Sequence, residues 1–326
     1  MAADEFSLIQ RCVLSLAQRP DPDVIVGPGD DAALLASCGS ARLCVTTDAL
    51  VEGIHIPRGT PPEAIGHRAL AINLSDLAAM GARPRFALLA LTMPQGDARF
   101  LNRLFHGLVR LAQRYGVSLV GGNLSSGPCN ATVTALGITE EHGTLLRGGA
   151  RSGDILAVTG TLGDATLGRL LLPHSNPAHD DPALRYLKRR FLYPEPRVPE
   201  GLALRHLAHA AIDLSDGLIQ DCGHLSKASG LGAVIWAERL PRSLAFERWA
   251  NQEQWLQLPL AGGDDYELLL AIAPGHWPQA AAALGGTAVP LTPIGRLEVG
   301  SGVQVHYQGK AISLSSPGYD HFRDKP

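Results

Sequence analysis

Five short motifs concentrate the residues that could do chemistry: Gly29-Asp30-Asp31, Thr46-Thr47-Asp48, Asn73-Leu74-Ser75-Asp76, Asp213-Leu214-Ser215-Asp216 and Gly262-Gly263-Asp264-Asp265. Each sets an aspartate beside a glycine or a hydroxyl residue, and most follow an apolar run. Carboxylates gathered at strand ends make an oxygen-rich pocket for a hard cation. Magnesium binds through a few carboxylates and completes its shell with waters and substrate phosphates, so such a pocket suits ATP and phosphoryl transfer. A single aspartate after a strand is more often a turn former or helix N-cap than a ligand. Asp76 could cap the run from Leu77 to Met80, Asp216 a helix starting at Gly217, and Asp30 and Asp31 could solvate a turn. Five such motifs in a chain that is only 18% charged favour a shared site.

Other features are weaker alone. Gly121-Gly122 follows the strand-like Ser118-Leu119-Val120, where glycines let backbone amides approach a phosphate. Arg147, beside Gly148-Gly149, could neutralise a phosphate bidentately, or could be an ordinary surface arginine. His55 and the near-terminal Tyr319 read as site residues or as structural ones. Gly27, Gly29 and Ala32 mimic a dinucleotide fingerprint. Two carboxylates inside that loop would repel a pyrophosphate, and the segment after it is too short for the required helix. The chain has no Walker A lysine motif.

The elements that must position these motifs alternate between strand and helix. Residues 24–26 and 43–47 read as strands ending in acidic loops, 63–81 as a helix rich in alanine, and 85–92 as a strand closed by Pro94. Phe100, Leu101, Leu104, Leu108, Leu111 and Ala112 recur at helical spacing up to Gly116, and strands follow at 117–120 and 131–138. Residues 147–154 form a linker or tight turn. Beyond it the spacing predicts a strand at 155–158, helices over 161–172, 183–191 and about 199–210, a strand near 267–273, a helix near 276–284 and paired strands at 303–307 and 311–314. The boundary falls near 150, giving domains 1–150 and 151–326. Both mix strands and helices, an α/β (α+β) class with two layered domains and no single doubly wound sheet.

Length and composition agree: 326 residues suit two domains of ~100–200 residues each. Hydrophobic residues make up 45%, enough for sizeable cores, and the net charge of -3 leaves no basic excess for nucleic acid. No apolar run approaches the ~20 residues that span a bilayer. No secretory leader is evident after Met1, and the five cysteines form no C-x-x-C pair, so the expectation is reduced thiols in a cytoplasmic protein without a zinc site.

Together these motifs, with Glu5-Phe6-Ser7-Leu8-Ile9, the long string Asn73–Ala82, Asp265-Tyr266-Glu267-Leu268 and Gly318-Tyr319-Asp320-His321-Phe322, resemble thiamine-monophosphate kinase from residue 5 to 322. The resemblance implies an aminoimidazole-ribonucleotide-synthetase-like fold of mixed sheets flanked by helices, a homodimer, and direct transfer of the ATP γ-phosphoryl group to thiamine monophosphate. It implies an N-terminal domain for ATP, magnesium and dimerisation, and a C-terminal domain completing the site. Asp31, Thr46, Thr47, Asp48, Asp76, Asn123, Asp213 and Asp216 would hold several Mg2+ ions, with Asp48, Asp76 and Asp213 central to catalysis. Gly122, Asn123, Arg147 and Ser215 would hold ATP as co-substrate, and His55, Asp264 and Tyr319 the acceptor. Three departures stand out: Asn123 replaces the family's aspartate, Asp264 its usual glutamate, and Ser315-Ser316-Pro317 lacks the aromatic that often precedes the C-terminal Gly-Tyr-Asp-His-Phe. A non-catalytic binder of nucleotide or thiamine phosphate is the alternative reading, motivated by Asn123. Among relatives of the same fold, selenophosphate synthetase would need a reactive cysteine unlike Cys12, and a hydrogenase-maturation enzyme would end in cysteine. A purine-pathway synthetase stays open.

Overall fold

The computed structural model describes residues 23–27, 29–36, 41–140, 142–174, 180–313 and 318–319. Glu5–Ile9, Cys12, Cys38 and the last three residues of the C-terminal pentapeptide lie outside them. The chain divides into two compact units. One comprises Met1–Leu77, Ala82–Glu141 and His321–Pro326, the other Ala78–Gly81 and His142–Asp320.

The first unit is built on a six-stranded mixed sheet of β1 (Val24–Val26), β2 (Ala33–Ala36), β3 (Ala41–Val51), β4 (Arg83–Met93), β5 (Ser118–Ser126) and β6 (Asn130–Glu140), in the order β1-β2-β3-β6-β4-β5. Only β4 and β5 pair in parallel. The period of two in β6 sets the two faces. Ala131, Val133 and Ala135 are fully buried, while Thr132, Thr134, Leu136 and Ile138 point to the other side. Among the described residues, the unit's helices are α1 (Pro62–Ala79) and α2 (Ala98–Tyr115). α2 forms where the helical spacing predicts it. Asp97 Oδ1 accepts from Arg99 N and Phe100 N at its start, and Gly116 closes it at a left-handed φ of 67°. Leu104, Leu108, Leu111 and Ala112 form its buried stripe.

The two helices cross at glycines. A Cβ on Gly66 would lie 1.9 Å from the Leu104 carbonyl oxygen, and one on Gly107 would lie 1.9 Å from that of Glu63. Alanine normally favours a helix over glycine by about 1 kcal/mol, but here main chain blocks the methyl and cannot step aside. Gly66→Ala is therefore expected to destabilise the protein by about 3 kcal/mol, read from denaturant unfolding. A variant as stable as the parent would refute this close approach.

The second unit holds a seven-stranded sheet of β7 (Ile155–Thr159), β8 (Ala208–Asp213), β9 (Gly232–Trp236), β10 (Leu268–Ile272), β11 (Leu291–Glu298), β12 (Gly302–Tyr307) and β13 (Lys310–Ile312). The order is β13-β12-β9-β11-β7-β10-β8. Its helices are α3 (Asp164–Leu171), α4 (Pro182–Leu192), α5 (Val198–Leu204), α6 (Leu218–Ala228), α7 (Leu244–Trp249), α8 (Gln254–Ala261) and α9 (Trp277–Leu284). Every residue of β10 is buried, as a strand covered on both faces requires. Leu218, Cys222 and Leu225 of α6 join Leu156, Val158, Ile212 and Leu269 in one core, and α3, α4, α7 and α8 share a second built on Leu167, Leu187 and Phe246.

The helix expected over 199–210 ends at Leu204 and gives way to β8. The alanines of Ala208-His209-Ala210-Ala211 favour helix, and pairing with the buried β10 overrides that preference. No helix follows Gly27-x-Gly29; β2 is there instead, so the dinucleotide reading is excluded. Cys44, Cys129 and Cys222 are buried free thiols, and burial pushes Cys44 and Cys222 up to about 12, leaving both unreactive at neutral pH. Among the described residues, no helix is long and apolar enough to cross a membrane.

Candidate active site

Asp76 lies in the last turn of α1, not before a helix, so the capping alternative fails for it. An acid there faces the negative end of the helix dipole at a cost of roughly 0.3–1 kcal/mol, and α1 has no basic residue in that turn to offset it. Its Oδ2 accepts the Thr46 hydroxyl at 2.6 Å. A carboxylate oxygen of the buried Asp31 lies within 4.8 Å of one on Asp76. Two acids this close repel each other unless a cation or proton lies between them. With a hydroxyl beside them they form the oxygen-only donor set of a magnesium site, so these residues fit that ion.

β3 splits its Thr46-Thr47-Asp48 triplet between faces. Thr46 and Asp48 pair with Ala135 and Val133 on the buried side of the sheet, though Asp48 itself is exposed. Thr47 points to the other face, where its hydroxyl donates to the Val133 carbonyl at 3.1 Å and lies 3.0 Å from the Thr134 hydroxyl. His55 closes the turn after β3. Its Nδ1 accepts from Val51 N at 2.9 Å, which leaves the ring proton on Nε2. On β5, Gly122 has a φ of 155°, and a Cβ there would lie 2.0 Å from the Leu89 carbonyl oxygen, so only glycine fits. Asn123 follows it, exposed, opposite Ala90.

In the second unit, β8 delivers Asp213, which is 4% exposed, to the loop that carries Ser215 and Asp216. That loop is zipped to the segment 264–267. Leu214 N donates to the Glu267 carbonyl, Tyr266 N to that of Leu214 and Asp264 N to that of Ser215, each at 2.8 Å. Tyr319 N donates to the Asp216 carbonyl at 3.0 Å, and Gln220 Nε2 donates to the Tyr319 carbonyl at 2.8 Å. Asp213, Ser215, Asp216, Asp264 and Tyr319 are thereby brought together. Asp216 caps no helix either, because Gly217 occupies the N-cap of α6 with no side-chain bond. Arg147 packs beside α6. Ser229 Oγ donates to its carbonyl at 3.1 Å, and His224 is lowered to about 4 by burial first, then by the positive charges of Arg147 and Lys227.

Two residues escaped the sequence reading. Asp221 lies under the Ser215–Gly217 loop and accepts from Asp216 N at 3.2 Å and Gly217 N at 3.1 Å. Burial, then the charges of Asp216 and Asp213, push its carboxyl well above the usual range. Its spacing, five residues after Asp216 in the first turn of a helix, was the available signal. Arg169 Nε approaches Asp264 Oδ2 at 3.8 Å from a distant part of the sequence, with no signal in sequence.

Residues 29–139 match the AIR synthase related protein N-terminal domain and 151–308 the corresponding C-terminal domain. The thiamine-monophosphate kinase of Escherichia coli K12 is 41% identical over 323 residues, 99% of each chain. The chain belongs to the thiamine-monophosphate kinase family. The crystal structure of the family member from Stenotrophomonas maltophilia K279a is 39% identical, with a TM-score of 0.80 over 96% of this chain and 99% of that one. AaThiL complexed with AMPPCP and TMP is 34% identical, with a TM-score of 0.85 over 99% of both chains. The two-domain α/β fold with mixed sheets flanked by helices is thus the family's fold.

Proposed function

We propose that this protein transfers the γ-phosphoryl group of ATP directly to thiamine monophosphate, giving ADP and thiamine diphosphate in thiamine biosynthesis. The observation that carries this is the carboxylate pair Asp31 and Asp76 with the Thr46 hydroxyl, in a chain 41% identical to a thiamine-monophosphate kinase along its whole length. Asp31, Thr46, Thr47, Asp48, Asp76, Asn123, Asp213 and Asp216 would hold Mg2+, which supplies neutralisation of phosphate charge when bound. Gly122, whose bare backbone admits close approach, would hold ATP together with Asn123, Arg147 and Ser215. His55, Asp264 and Tyr319 would contact the acceptor, with Asp48, Asp76 and Asp213 decisive for turnover. The acceptor is a phosphate monoester, largely dianionic near neutral pH, so no general base is required and positioning dominates.

The N-terminal domain, 1–150, serves ATP, magnesium and dimerisation in this reading, and 151–326 completes the site. The homodimer is supported by the open face of the first sheet. Phe86, Leu88 and Ile138 are each more than a third exposed there, and the adjacent edge strand exposes Leu119, Val120 and Leu124. Unpaired buried thiols accord with a cytoplasmic setting.

The test is incubation of the protein with Mg-ATP and thiamine monophosphate, followed by chromatography. Equal amounts of ADP and thiamine diphosphate are expected. Ligand binding without ADP release would instead make the protein a non-catalytic binder. Asn123→Asp adds a negative ligand and is expected to lower the magnesium concentration for half-maximal rate roughly tenfold. An unchanged magnesium dependence would remove Asn123 from the metal set.

A further inference from the structure

Among the described residues, three non-glycine residues take left-handed backbone angles, and two of them are Asp264 (φ 71°) and Tyr266 (φ 50°). Such angles are strained, most of all for a bulky aromatic, and persist where the surroundings over-determine them. Here the intervening side chains do so. Asp265 turns inward, 3% exposed, and caps α3: Oδ2 accepts from Gly163 N at 2.7 Å and Oδ1 from Ala165 N at 3.3 Å. Thr166 of the same helix donates its hydroxyl to the Gly263 carbonyl at 2.7 Å. Gly263 has no room for a side chain, since a Cβ would lie 2.3 Å from the Ser215 carbonyl oxygen. Glu267 is locked into the protein interior by Thr159, Arg190 and Arg197. The kink is thus clamped from behind, and its front carries Asp264 and the backbone bonds to Leu214 and Ser215.

We infer that Asp265 is a positioning residue for the phosphate acceptor: by docking on the N-terminus of α3 it holds the kink that aims Asp264. The inference rests on the kinase reading and on Asp264 contacting the acceptor. Asp265 touches no reactant; it acts through Asp264 and the loop bonded to it.

A matched control separates positioning from helix capping. Asp181 caps α4, accepting from Leu184 N at 2.7 Å, and sits outside the kink. Binding of thiamine monophosphate would be measured by calorimetry in the presence of magnesium and a non-hydrolysable ATP analogue, with melting temperature and steady-state KM recorded alongside. Asp265→Ala and Asp181→Ala should both lower the melting temperature. Only Asp265→Ala should weaken acceptor binding and raise its KM, by about tenfold, as a small misplacement of a contact group does. Asp265→Asn keeps one acceptor oxygen, should remain folded and should bind several-fold more weakly. Equal acceptor affinity in Asp265→Ala and Asp181→Ala overturns the inference. If Asp265→Ala does not fold, Asp265→Asn decides: weakened binding supports it and parental affinity overturns it. Failure of the parent protein to form thiamine diphosphate would count against the kinase reading instead.

Discussion

Replacing Asp76 with alanine is expected to lower turnover by about 10³-fold while the protein stays folded. The size follows from what the carboxylate is placed to do. Its Oδ2 bonds the Thr46 hydroxyl, and the Asp31 carboxylate lies within 4.8 Å, so the group belongs to a set of oxygens that has no use inside a folded core. The small effect on folding follows from the same geometry. Alanine removes an acid from the unfavourable end of α1 and relieves repulsion with Asp31, gains that offset the lost bond from Thr46. Turnover and the thermal melt should therefore part company: thiamine diphosphate formation falls to near background, and the melting temperature of the ligand-free protein moves by only a few degrees. A variant with more than a tenth of the parental rate would remove Asp76 from the site. A variant that unfolds would mean the carboxylate is structural.

Asp76 also shows how far the sequence could be read. Its motif is visible because an aspartate after Asn73-Leu74-Ser75 serves no packing purpose in so apolar a stretch. The helix expected over 63–81 already put Asp76 near a helix end, and α1 over Pro62–Ala79 decides this against the capping alternative that the motif alone allows. The long amphipathic α2 was legible because its period and its Gly116 stop agree. β8 was not, because its alanines favour helix and the strand exists through its pairing with β10. The acid-bearing loops were legible as a set, whereas the different fates of adjacent acids were not. Asp264 and Asp265 are identical in type and neighbours in sequence. A left-handed turn sends one out beside Arg169 and the other inward onto α3. No spacing rule separates them, since that turn is held by contacts from residues 159 to 197.

Those contacts carry the second large effect, the loss of the Glu267 charge. Glu267 is fully buried and takes hydrogen bonds from Thr159 Oγ1 at 2.7 Å, Arg190 Nη2 at 2.8 Å and Arg197 Nε at 2.6 Å. Burial alone would push the Arg197 guanidinium down, and the Glu267 carboxylate overturns this and holds it above its ordinary value. The same opposition holds at Arg190, where burial is again the largest influence and Glu267 the largest counterweight. Glu267→Gln keeps the shape and removes the charge. Arg190 then keeps Asp164, 3.9 Å from its Nε, and Arg197 keeps only the weaker pull of Glu200 and Glu195. Breaking one side of a buried ion pair costs about 3–5 kcal/mol, because the surviving charge can neither ionise favourably nor reach water. The expected result is a melting temperature lower by roughly 10 °C or more, followed by circular dichroism. Arg197→Lys should fall between the two, since a lysine restores the charge and not the paired geometry. A Glu267→Gln protein within about 1 kcal/mol of the parent would show that the buried charge contributes little, and that the kink beside it stands on Asp265 and the backbone bonds alone.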